Sequence, residues 1–355
     1  MPRVKICSIC GAPKRLTREH LWLDNGTIVE RKQPSHRMIF IENDNILELF
    51  KLTEEIVGVS LEKIVIESQR KATYDYVNGI LPDMVKKIMR VTSYRPVVRN
   101  LTVLGRTLGL GDVSLLDMHI KGGEGDFVKL GIRNAFFLPG FCGMVTGAME
   151  VVSGHDCSVS YQETSPGYYE VTTFVSTHPK ELVERLQWRQ YSSKPGDAKL
   201  EGCPGCGGPK ALAGYDFDLD AGVISNKTSG RRMIIDGPAE FEAILDELEG
   251  ELGEDISQVL IEAQRRFVKS GFYDADEVKE IGSFRDHLSL RGFGNLKEIC
   301  FDDGRLCIRL ENPCLHLLLV GLAQGFFELV FAREGKVEWE LAGDGDLLVE
   351  VRARG

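Results

Sequence analysis

The sequence of 355 residues lacks the features that mark several specialised classes of protein. It has no long run of Lys and Arg, and its formal net charge is −10. We therefore expect neither nucleic acid nor an anionic membrane surface as its main partner. Its longest apolar stretch, residues 315–331, is too interrupted to cross a bilayer alone, so no membrane insertion is expected. The first residues, MPRVKICSIC, have no apolar signal-peptide core, which indicates a cytoplasmic protein.

Motifs for catalysis and nucleotide binding are also absent. The sequence contains no P-loop, nucleophile elbow or HExxH motif. The Gly-x-Gly pairs at 109–111 and 292–294 lack the third Gly of a dinucleotide-binding fingerprint. The run His155-Asp156-Cys157 predicts a loop, because adjacent side chains rarely converge on one point. We therefore predict no catalytic residues and favour a binding protein over an enzyme.

What the sequence does contain is an internal repeat. Residues 7–14, CSICGAPK, match residues 203–210, CPGCGGPK. Further along, IESQR at 66–70 matches IEAQR at 261–265. The pairs Arg37-Met38 and Arg232-Met233 lie between these matches and keep the same order. Ordered matches over such a length predict two homologous domains.

The repeat sets the expected domain boundaries. We predict one domain at residues 1–190, a linker at 191–201 that is rich in Ser, Pro, Gly and charge, and a second domain at 202–355. Residues 1–200 contain 26 Lys and Arg against 23 Asp and Glu, whereas the rest contains 17 against 30. The second copy therefore carries most of the negative charge.

Each repeat follows one plan of secondary structure. A CxxCG turn, here called a knuckle, leads to a short polar hairpin and then to two amphipathic helices. In the second copy Phe241, Ile244 and Leu248 recur at helical spacing. Strands, one apolar helix and a closing hairpin complete the repeat. The predicted fold class is α+β, with an antiparallel sheet in each copy.

The later part of each repeat resembles a known family. The run LGLGDVSLLDMHIKGGEGDFVKLGIRNAF, followed by a Gly-containing apolar helix and a hairpin, resembles the V4R (4-vinyl reductase) domain of predicted hydrocarbon-binding proteins. The matched segments are roughly 100–175 and 285–353. This resemblance implies two α/β sandwiches, each around an apolar pocket, which would pair as an intrachain pseudo-dimer. The closing strands, YQETSPGYYEV and WELAGDGDLLVEV, lack the cysteines with which many V4R domains bind metal, so no ligand is carried over from that motif.

The cysteines of the two knuckles predict a metal site. The CxxCG spacing points both thiolates of a knuckle at one centre, and two knuckles supply the four ligands of tetrahedral zinc. We predict one structural zinc shared by Cys7, Cys10, Cys203 and Cys206. Other interpretations are one metal per knuckle, a rubredoxin-type iron, a redox dithiol, or metal-free turns. Only the first copy has nearby histidines, His20 and His36, and this asymmetry favours sharing.

The candidate ligand pocket is predicted from apolar helices. Apolar side chains there could line a pocket, although ordinary core packing is the better explanation for each of them taken singly. His316 could ligate haem or another metal, and Arg37 or Arg232 could bind a ligand carboxylate or pack between the domains. The remaining cysteines are expected in the core. The apolar candidates are Phe136, Phe137, Phe141, Met144 and Met149 in the first copy, with Leu315, Leu319, Phe326 and Phe327 in the second.

Two functions follow from these patterns. The first is a small-molecule binding protein, a sensor or carrier for an apolar, hydrocarbon or aromatic ligand, with a structural zinc site. The alternative is an enzyme or accessory subunit of reductase type that acts on a tetrapyrrole or aromatic substrate and needs a redox cofactor such as haem or iron. A protein partner is a third, weaker hypothesis.

Overall fold

The computed structural model describes residues 4–82, 84–86, 94–177, 191–253, 256–274, 281–302 and 304–354. The helices are α1 (Lys14–Glu19), α2 (Asn43–Val57), α3 (Glu62–Ile80), α4 (Arg95–Thr107), α5 (Leu138–Ser153), α6 (Pro238–Leu252), α7 (Ile256–Phe267), α8 (Ile281–Leu290) and α9 (His316–Phe331). The strands are β1 (His20–Trp22), β2 (Ile28–Glu30), β3 (Arg37–Glu42), β4 (Asp112–His119), β5 (Phe127–Arg133), β6 (Cys157–Ser165), β7 (Tyr168–Val175), β8 (Tyr215–Asp218), β9 (Val223–Asn226), β10 (Arg232–Asp236), β11 (Asn295–Asp302), β12 (Arg305–Glu311), β13 (Gly335–Leu341) and β14 (Leu347–Ala353).

The predicted α+β class with antiparallel sheets is confirmed. The strands form one six-stranded sheet in the order β1-β2-β3-β10-β9-β8. Two four-stranded sheets have the orders β4-β5-β7-β6 and β11-β12-β14-β13. Counted along the chain, the strands of each four-stranded sheet therefore lie in the same order: first, second, fourth, third. None of the described helices combines the length and the apolar character that crossing a bilayer requires.

The six-stranded sheet is built from both halves of the chain. Its central pair is β3 with β10, in the antiparallel register Ile41 with Ile234 and Ile39 with Asp236. All six residues of β3 are buried, and β10 is buried from Met233 onward. A strand that is covered on both faces has an almost continuous apolar sequence, as RMIFIE and RMIID do. This pair of strands forms part of the core between the two halves.

The helices pack partly within a half and partly across. In the first half α3 packs on α5, and in the second half α7 packs on α9. Gly147 and Gly321 allow these close approaches, since a Cβ at Gly147 would lie 2.1 Å from the carbonyl oxygen of Arg70. Across the halves, α2 packs on α7 and α6 packs on α3. Residues 315–331, predicted as a buried helix, form α9, most of which is buried.

The hairpin of each half contacts the four-stranded sheet of the other. Gly26, in the turn after β1, lies against Gly294, where an added Cβ would be 2.2 Å from a carbonyl oxygen. Gly222, in the turn before β9, lies against Gly111 in the same way, at 2.1 Å. The halves are therefore docked reciprocally.

Residues 191–200 have no regular secondary structure but are held at several points. The Tyr191 hydroxyl donates to Glu242 at 2.5 Å, and Lys194 Nζ lies 2.6 Å from Asp346 Oδ1. The Ala198 N–H donates to the Asp24 carbonyl at 2.7 Å. This segment thus packs on both halves. The domain boundaries at residues 190 and 202 remain a prediction.

Candidate metal centre and ligand cavity

The four cysteines of the two knuckles lie together. Their sulfur atoms are all within 4.8 Å of one another. Cys7 Sγ lies 3.8 Å from Cys203 Sγ, and Cys10 Sγ lies 3.5 Å from Cys206 Sγ. A tetrahedral ion with metal–sulfur bonds of about 2.3 Å places its sulfurs roughly 3.8 Å apart. The cluster therefore has the size and the donor set of a metal–thiolate site.

Glycine gives each knuckle its tight turn. Gly11 and Gly207 both have φ of +76°, a conformation that side chains disfavour. Their N–H groups donate back to the carbonyls of Cys7 and Cys203, at 3.0 and 2.8 Å. Gly205 has a different function, because a Cβ there would lie 2.9 Å from Cys7 Sγ. The second knuckle can therefore approach the first only with a residue as small as Gly at this position.

Backbone amides make one of these thiols unusually acidic. The N–H groups of Cys10 and Ile9 lower the pKa of Cys7 to about 6. Burial, together with the neighbouring thiols, raises the pKa of Cys10 to about 12. Four thiolates at such distances repel one another, so a bound cation is needed for all four to lose their protons.

His20 and His36, the histidines near the first knuckle, do not belong to this cluster. Within the described part of the chain, the one group of side chains suited to a metal ion consists of the four cysteines alone. His20 Nδ1 lies 3.0 Å from the Leu16 carbonyl oxygen, and His36 lies between Glu30 and Glu240. The geometry thus favours one shared centre over two locally completed ones.

A cavity of about 440 Å³ lies in the second half, between its four-stranded sheet and helices α8 and α9. Its walls are mainly apolar, and volumes of this order are typical of small-molecule sites. The apolar lining consists of Ile299, Phe301, Leu306, Ile308, Leu310, Leu347 and Val349 from the sheet, Leu319, Leu322, Ala323 and Phe326 from α9, and Phe284, Leu288 and Phe293 from α8 and the turn after it.

Polar side chains gather at one part of the cavity wall. Glu42, at the end of β3, belongs to the first half, is 1% exposed and forms an ion pair with Arg291. Asn45 Nδ2 donates to Glu42 at 3.0 Å and to the Tyr273 hydroxyl at 2.5 Å. The Arg231 guanidinium lies 4.7 Å from the centre of the Tyr273 ring. The other polar lining residues are Asn226, Thr228, Ser229 and His287.

The electrostatics of this polar wall follow from burial and from Glu42. Burial disfavours the charged form of Arg291, but the Glu42 carboxylate outweighs it and raises the pKa of Arg291 above its usual range. Burial, reinforced by the same carboxylate, raises the pKa of Tyr273 above its usual range. Arg291 is therefore charged and Tyr273 is a neutral hydroxyl across the physiological pH range.

Two of the predicted pocket residues, Leu319 and Phe326, line this cavity. Leu315 and Phe327 are buried without bordering it. His316 is half-buried, and its ring lies 5.3 Å from the ring of Trp339, away from the cavity lining. The sheet and α8 residues of the lining were not predicted, because alternating buried positions of a strand look like any other core.

The first-half pocket candidates lie in or beside the core. Phe136, Phe137, Phe141 and Met149 are buried, and Met144 is half-buried. The Phe137 ring stacks on Phe50, with the ring centres 5.2 Å apart. None of these five borders the cavity described above. The five other cysteines were expected in the core. Of these, Cys142, Cys157 and Cys314 are buried, whereas Cys300 and Cys307 are partly exposed.

The two predicted arginines hydrogen-bond to backbone carbonyls of the opposite half. Arg37, which is 5% exposed, donates to the carbonyls of Gly292 and Asn312 at 2.7 Å each. Arg232 donates to the carbonyls of Gly109 and Asn134, at 3.0 and 2.6 Å. Neither residue lines the cavity. Their guanidinium groups join the halves, the second of the two functions expected of them.

In the first half, a cluster of polar and titratable side chains lies beside the β2–β3 turn. This turn is equivalent to the β9–β10 turn, which borders the cavity in the second half. His36 Nδ1 lies 3.5 Å from Glu30, and its Nε2 lies 3.8 Å from Glu240 of the second half. The Tyr76 hydroxyl donates to Glu30 at 2.8 Å. Asp236, on β10, is buried close by. We call these five residues the carboxylate–histidine cluster.

This cluster contains strongly shifted pKa values. Burial disfavours the charged form of His36, but Glu240 and Glu30 outweigh it and raise its pKa to about 10. Burial raises the pKa of Asp236 to about 8. This cluster was not predicted from the sequence, since its members come from β2, the β2–β3 turn, α3, β10 and α6.

Comparisons with known proteins give no assignment. No protein-family model matches the chain, so the predicted V4R membership is not shown, and no curated protein matches it. Among solved structures, the chain is similar to the phenol-responsive sensory domain of the transcription activator PoxR with phenol, at 15% identity and a TM-score of 0.33, over 48% of this chain and 92% of that one. It is also similar to an H-NOX family structure solved to probe heme distortion, at 15% identity and a TM-score of 0.24, over 33% and 71%.

Proposed function

We propose that this protein binds a small apolar or aromatic molecule in the cavity of its second half, as a sensor or carrier. The observation that carries the proposal is the cavity itself: about 440 Å³, walled by side chains of a sheet and two helices. Protein interiors are close-packed, and an apolar void costs stability in proportion to its volume. A ligand that fills such a void recovers the lost contacts.

The polar wall supports a ligand with one polar end. Arg231, His287 and Thr228 offer donors beside the apolar lining, and the charge of Arg291 is partly neutralised by Glu42. A few polar groups in an otherwise apolar pocket fix the orientation of a ligand more than they add to its affinity. We therefore expect a preference for a ring or chain that ends in a hydroxyl or carboxyl group over a pure hydrocarbon.

The four-cysteine site is proposed to hold one structural zinc. Zinc with four thiolates has no open coordination position and does not act on substrates. The second knuckle leads directly into β8, β9 and the turn that carries Asn226 and Arg231, both of which line the cavity. By this proposal, zinc supports the cavity wall through the hairpin. The haem alternative gains no ligand from the predicted set, because His316 lies outside the cavity lining.

Ligand titration of a filled-cavity variant tests the proposal. Ala323→Phe places an aromatic ring where the cavity now is, and Leu348→Trp serves as a control on a residue outside the lining. We expect saturable, one-to-one binding of small aromatic alcohols or acids by calorimetry in the parent chain and in the control. Binding should fall by at least about tenfold in the Ala323→Phe variant.

Two results would contradict this function. One is equal binding by Ala323→Phe and the parent, with both folded by circular dichroism. The other is a failure of a panel of monocyclic and bicyclic aromatics and short fatty acids to bind the parent at all. A visible absorption spectrum on the same preparation tests the enzymatic alternative, since haem or a rubredoxin-type iron absorbs strongly and a zinc site does not.

A further inference from the structure

The two knuckles have the same backbone but opposite surface chemistry. In the first, the Lys14 N–H donates to the Lys5 carbonyl at 2.8 Å; in the second, the Lys210 N–H donates to the Glu201 carbonyl at 2.7 Å. The side chains of Lys210 and Glu201 form an ion pair at 2.7 Å. The equivalent pair in the first knuckle is two lysines, which repel each other.

Further basic side chains continue this surface along α1. A groove of about 640 Å³ is lined by Lys5, Lys14, Arg15 and Arg18, with Glu19 as its one acidic residue. Arg15 binds Glu19 at 3.1 Å, and Arg18 Nη2 lies 3.6 Å from the same carboxylate, although the Arg18 side chain is 75% exposed. The corresponding turn of the second half, Lys210–Gly214, reads KALAG and has Ala and Gly at these places. The local fold therefore does not require the two arginines.

Apolar side chains stand beside the basic ones. Ile6 is 44% exposed and Ile9 is 56% exposed, although both flank a buried cysteine. Their equivalents in the second knuckle are Gly202 and Gly205, which expose no apolar side chain. Ile9 lies over Gly205 and still leaves more than half of its surface in water. Exposed apolar residues among side chains that are mostly of one charge are typical of an interaction surface.

We propose that this surface, formed by Lys5, Ile6, Ile9, Lys14 and Arg18, docks an acidic protein segment that carries apolar side chains among its carboxylates. Such a segment would relieve the repulsion between the lysines and cover both isoleucines. Nucleic acid fits less well, because none of the described residues that line the groove has an aromatic side chain on which a base could stack, and because the chain is acidic overall. The groove shares no lining residue with the ligand cavity, so this inference does not rest on the proposed ligand binding.

The test uses the full-length, metal-loaded protein and a fluorescein-labelled peptide of repeated Glu-Glu-Leu, followed by anisotropy in 150 mM salt. We expect saturable binding, and binding weakened by at least about tenfold in Lys5→Ala/Lys14→Ala. The matched control is Lys210→Ala, the same substitution at the equivalent place, which should bind as the parent does. Ile9→Ser should weaken the Glu-Glu-Leu peptide but leave a Glu-Glu-Ser peptide unchanged.

Metal content and circular dichroism of each variant exclude loss of folding. The proposal is overturned if the peptide does not bind the parent, or if Lys210→Ala weakens binding as much as Lys5→Ala/Lys14→Ala. It is also overturned if a random DNA duplex, or a vesicle containing phosphatidylglycerol, binds more tightly than the peptide at the same salt.

Discussion

Two equivalent turns of this molecule have opposite surroundings. In the first half the Glu30 N–H donates to the His36 carbonyl at 3.0 Å, and in the second the Asn226 N–H donates to the Arg231 carbonyl at 2.9 Å. The side chains of Glu30 and His36 contact each other within a buried cluster, whereas those of Asn226 and Arg231 face a cavity. The same backbone thus supports a filled site in one half and an open site in the other.

This comparison shows that the fold requires the backbone of the turn but not one particular set of side chains around it. The turn of residues 30–36 (the closed turn) brings buried charges together. Such ion pairs contribute little net stability, but removing one partner is costly. The turn of residues 226–231 (the open turn) borders a cavity, which lowers stability unless a ligand fills it. A ligand bound beside Asn226 and Arg231 would therefore add to stability, whereas the turn of residues 30–36 is already packed by its own side chains.

Metal removal is expected to have the largest effect, because it acts on both turns. The proposed zinc joins the knuckles from which both hairpins begin. We expect one zinc per chain by elemental analysis, lost in Cys7→Ser and equally in Cys203→Ser. Each variant should melt lower by more than about 10 °C, since structural zinc contributes several kcal/mol to folding. Two zinc ions per chain, or loss from only one variant, would contradict a shared site.

Breaking the carboxylate–histidine cluster should cost more than the same change in the open turn. Glu30→Ala leaves His36 with one buried carboxylate fewer and removes the acceptor of the Tyr76 hydroxyl. We expect a loss of about 3 kcal/mol in the free energy of unfolding, measured with urea. Asn226→Ala, its matched control beside the cavity, should cost less than about 1 kcal/mol. Equal losses in the free energy of unfolding would mean that contacts between charged side chains do not stabilise the turn of residues 30–36.

The closed turn should also make stability depend on pH. His36 has a folded pKa of about 10, above its unfolded value of 6.5. Its contribution to stability is therefore complete below about pH 6.5 and is lost as the pH rises through about 10. Asp236 acts in the same direction, because its folded pKa of about 8 exceeds its unfolded value of 3.8. The free energy of unfolding should thus fall between pH 6.5 and 9.

The variant His36→Arg sharpens this prediction. It places in the first half the residue type that Arg231 provides at the equivalent position of the second half. Arginine does not lose its proton in this range, so the fall in stability should become smaller, with Asp236 accounting for what remains. Urea titrations at pH 6.5, 7.5 and 9 measure the slope. A slope unchanged by the substitution would assign the pH dependence to groups outside the cluster.

The smallest effect on stability is expected at the open turn. Arg231→Ala removes a guanidinium that lies over the rings of Phe272 and Tyr273, and it should change the free energy of unfolding by about 1 kcal/mol or less. Affinity for an aromatic acid should nevertheless fall by about tenfold, with a smaller change for the matching hydrocarbon. Equal losses for both ligands would show that Arg231 shapes the cavity but does not bind the polar end.

The sequence was most informative where chemistry is local. The CxxCG spacing pointed to the four cysteines. In the repeated IESQR motif, Glu67 and Arg70 lie three residues apart on one helix, and their side chains form an ion pair at 2.5 Å. The third member of that pair's network, Glu150 at 2.7 Å, was not predicted because it comes from α5, far along the chain. Short-range patterns report spacing, but they do not report which distant segment completes a site.

Two further features could not be read from the repeat. A repeat pattern does not say whether a hairpin docks on its own copy or on the other, so the pairing of Arg37 with Asn312 was not foreseen. Nor does it say what surrounds the equivalent turns of the two halves. Those surroundings depend on single replacements such as His36 against Arg231, each of which looks like an ordinary surface difference in the sequence.

The reciprocal docking of the hairpins has a consequence for how the chain folds. Arg37 bonds to the carbonyl of Asn312, so a contact of the early chain is completed only after most of the polypeptide has left the ribosome. Contacts over such separations slow folding, and they leave early segments without their partners during synthesis. The first half must remain incompletely packed until the second is made. Separately produced halves should accordingly be poorly folded alone and recover structure only when mixed.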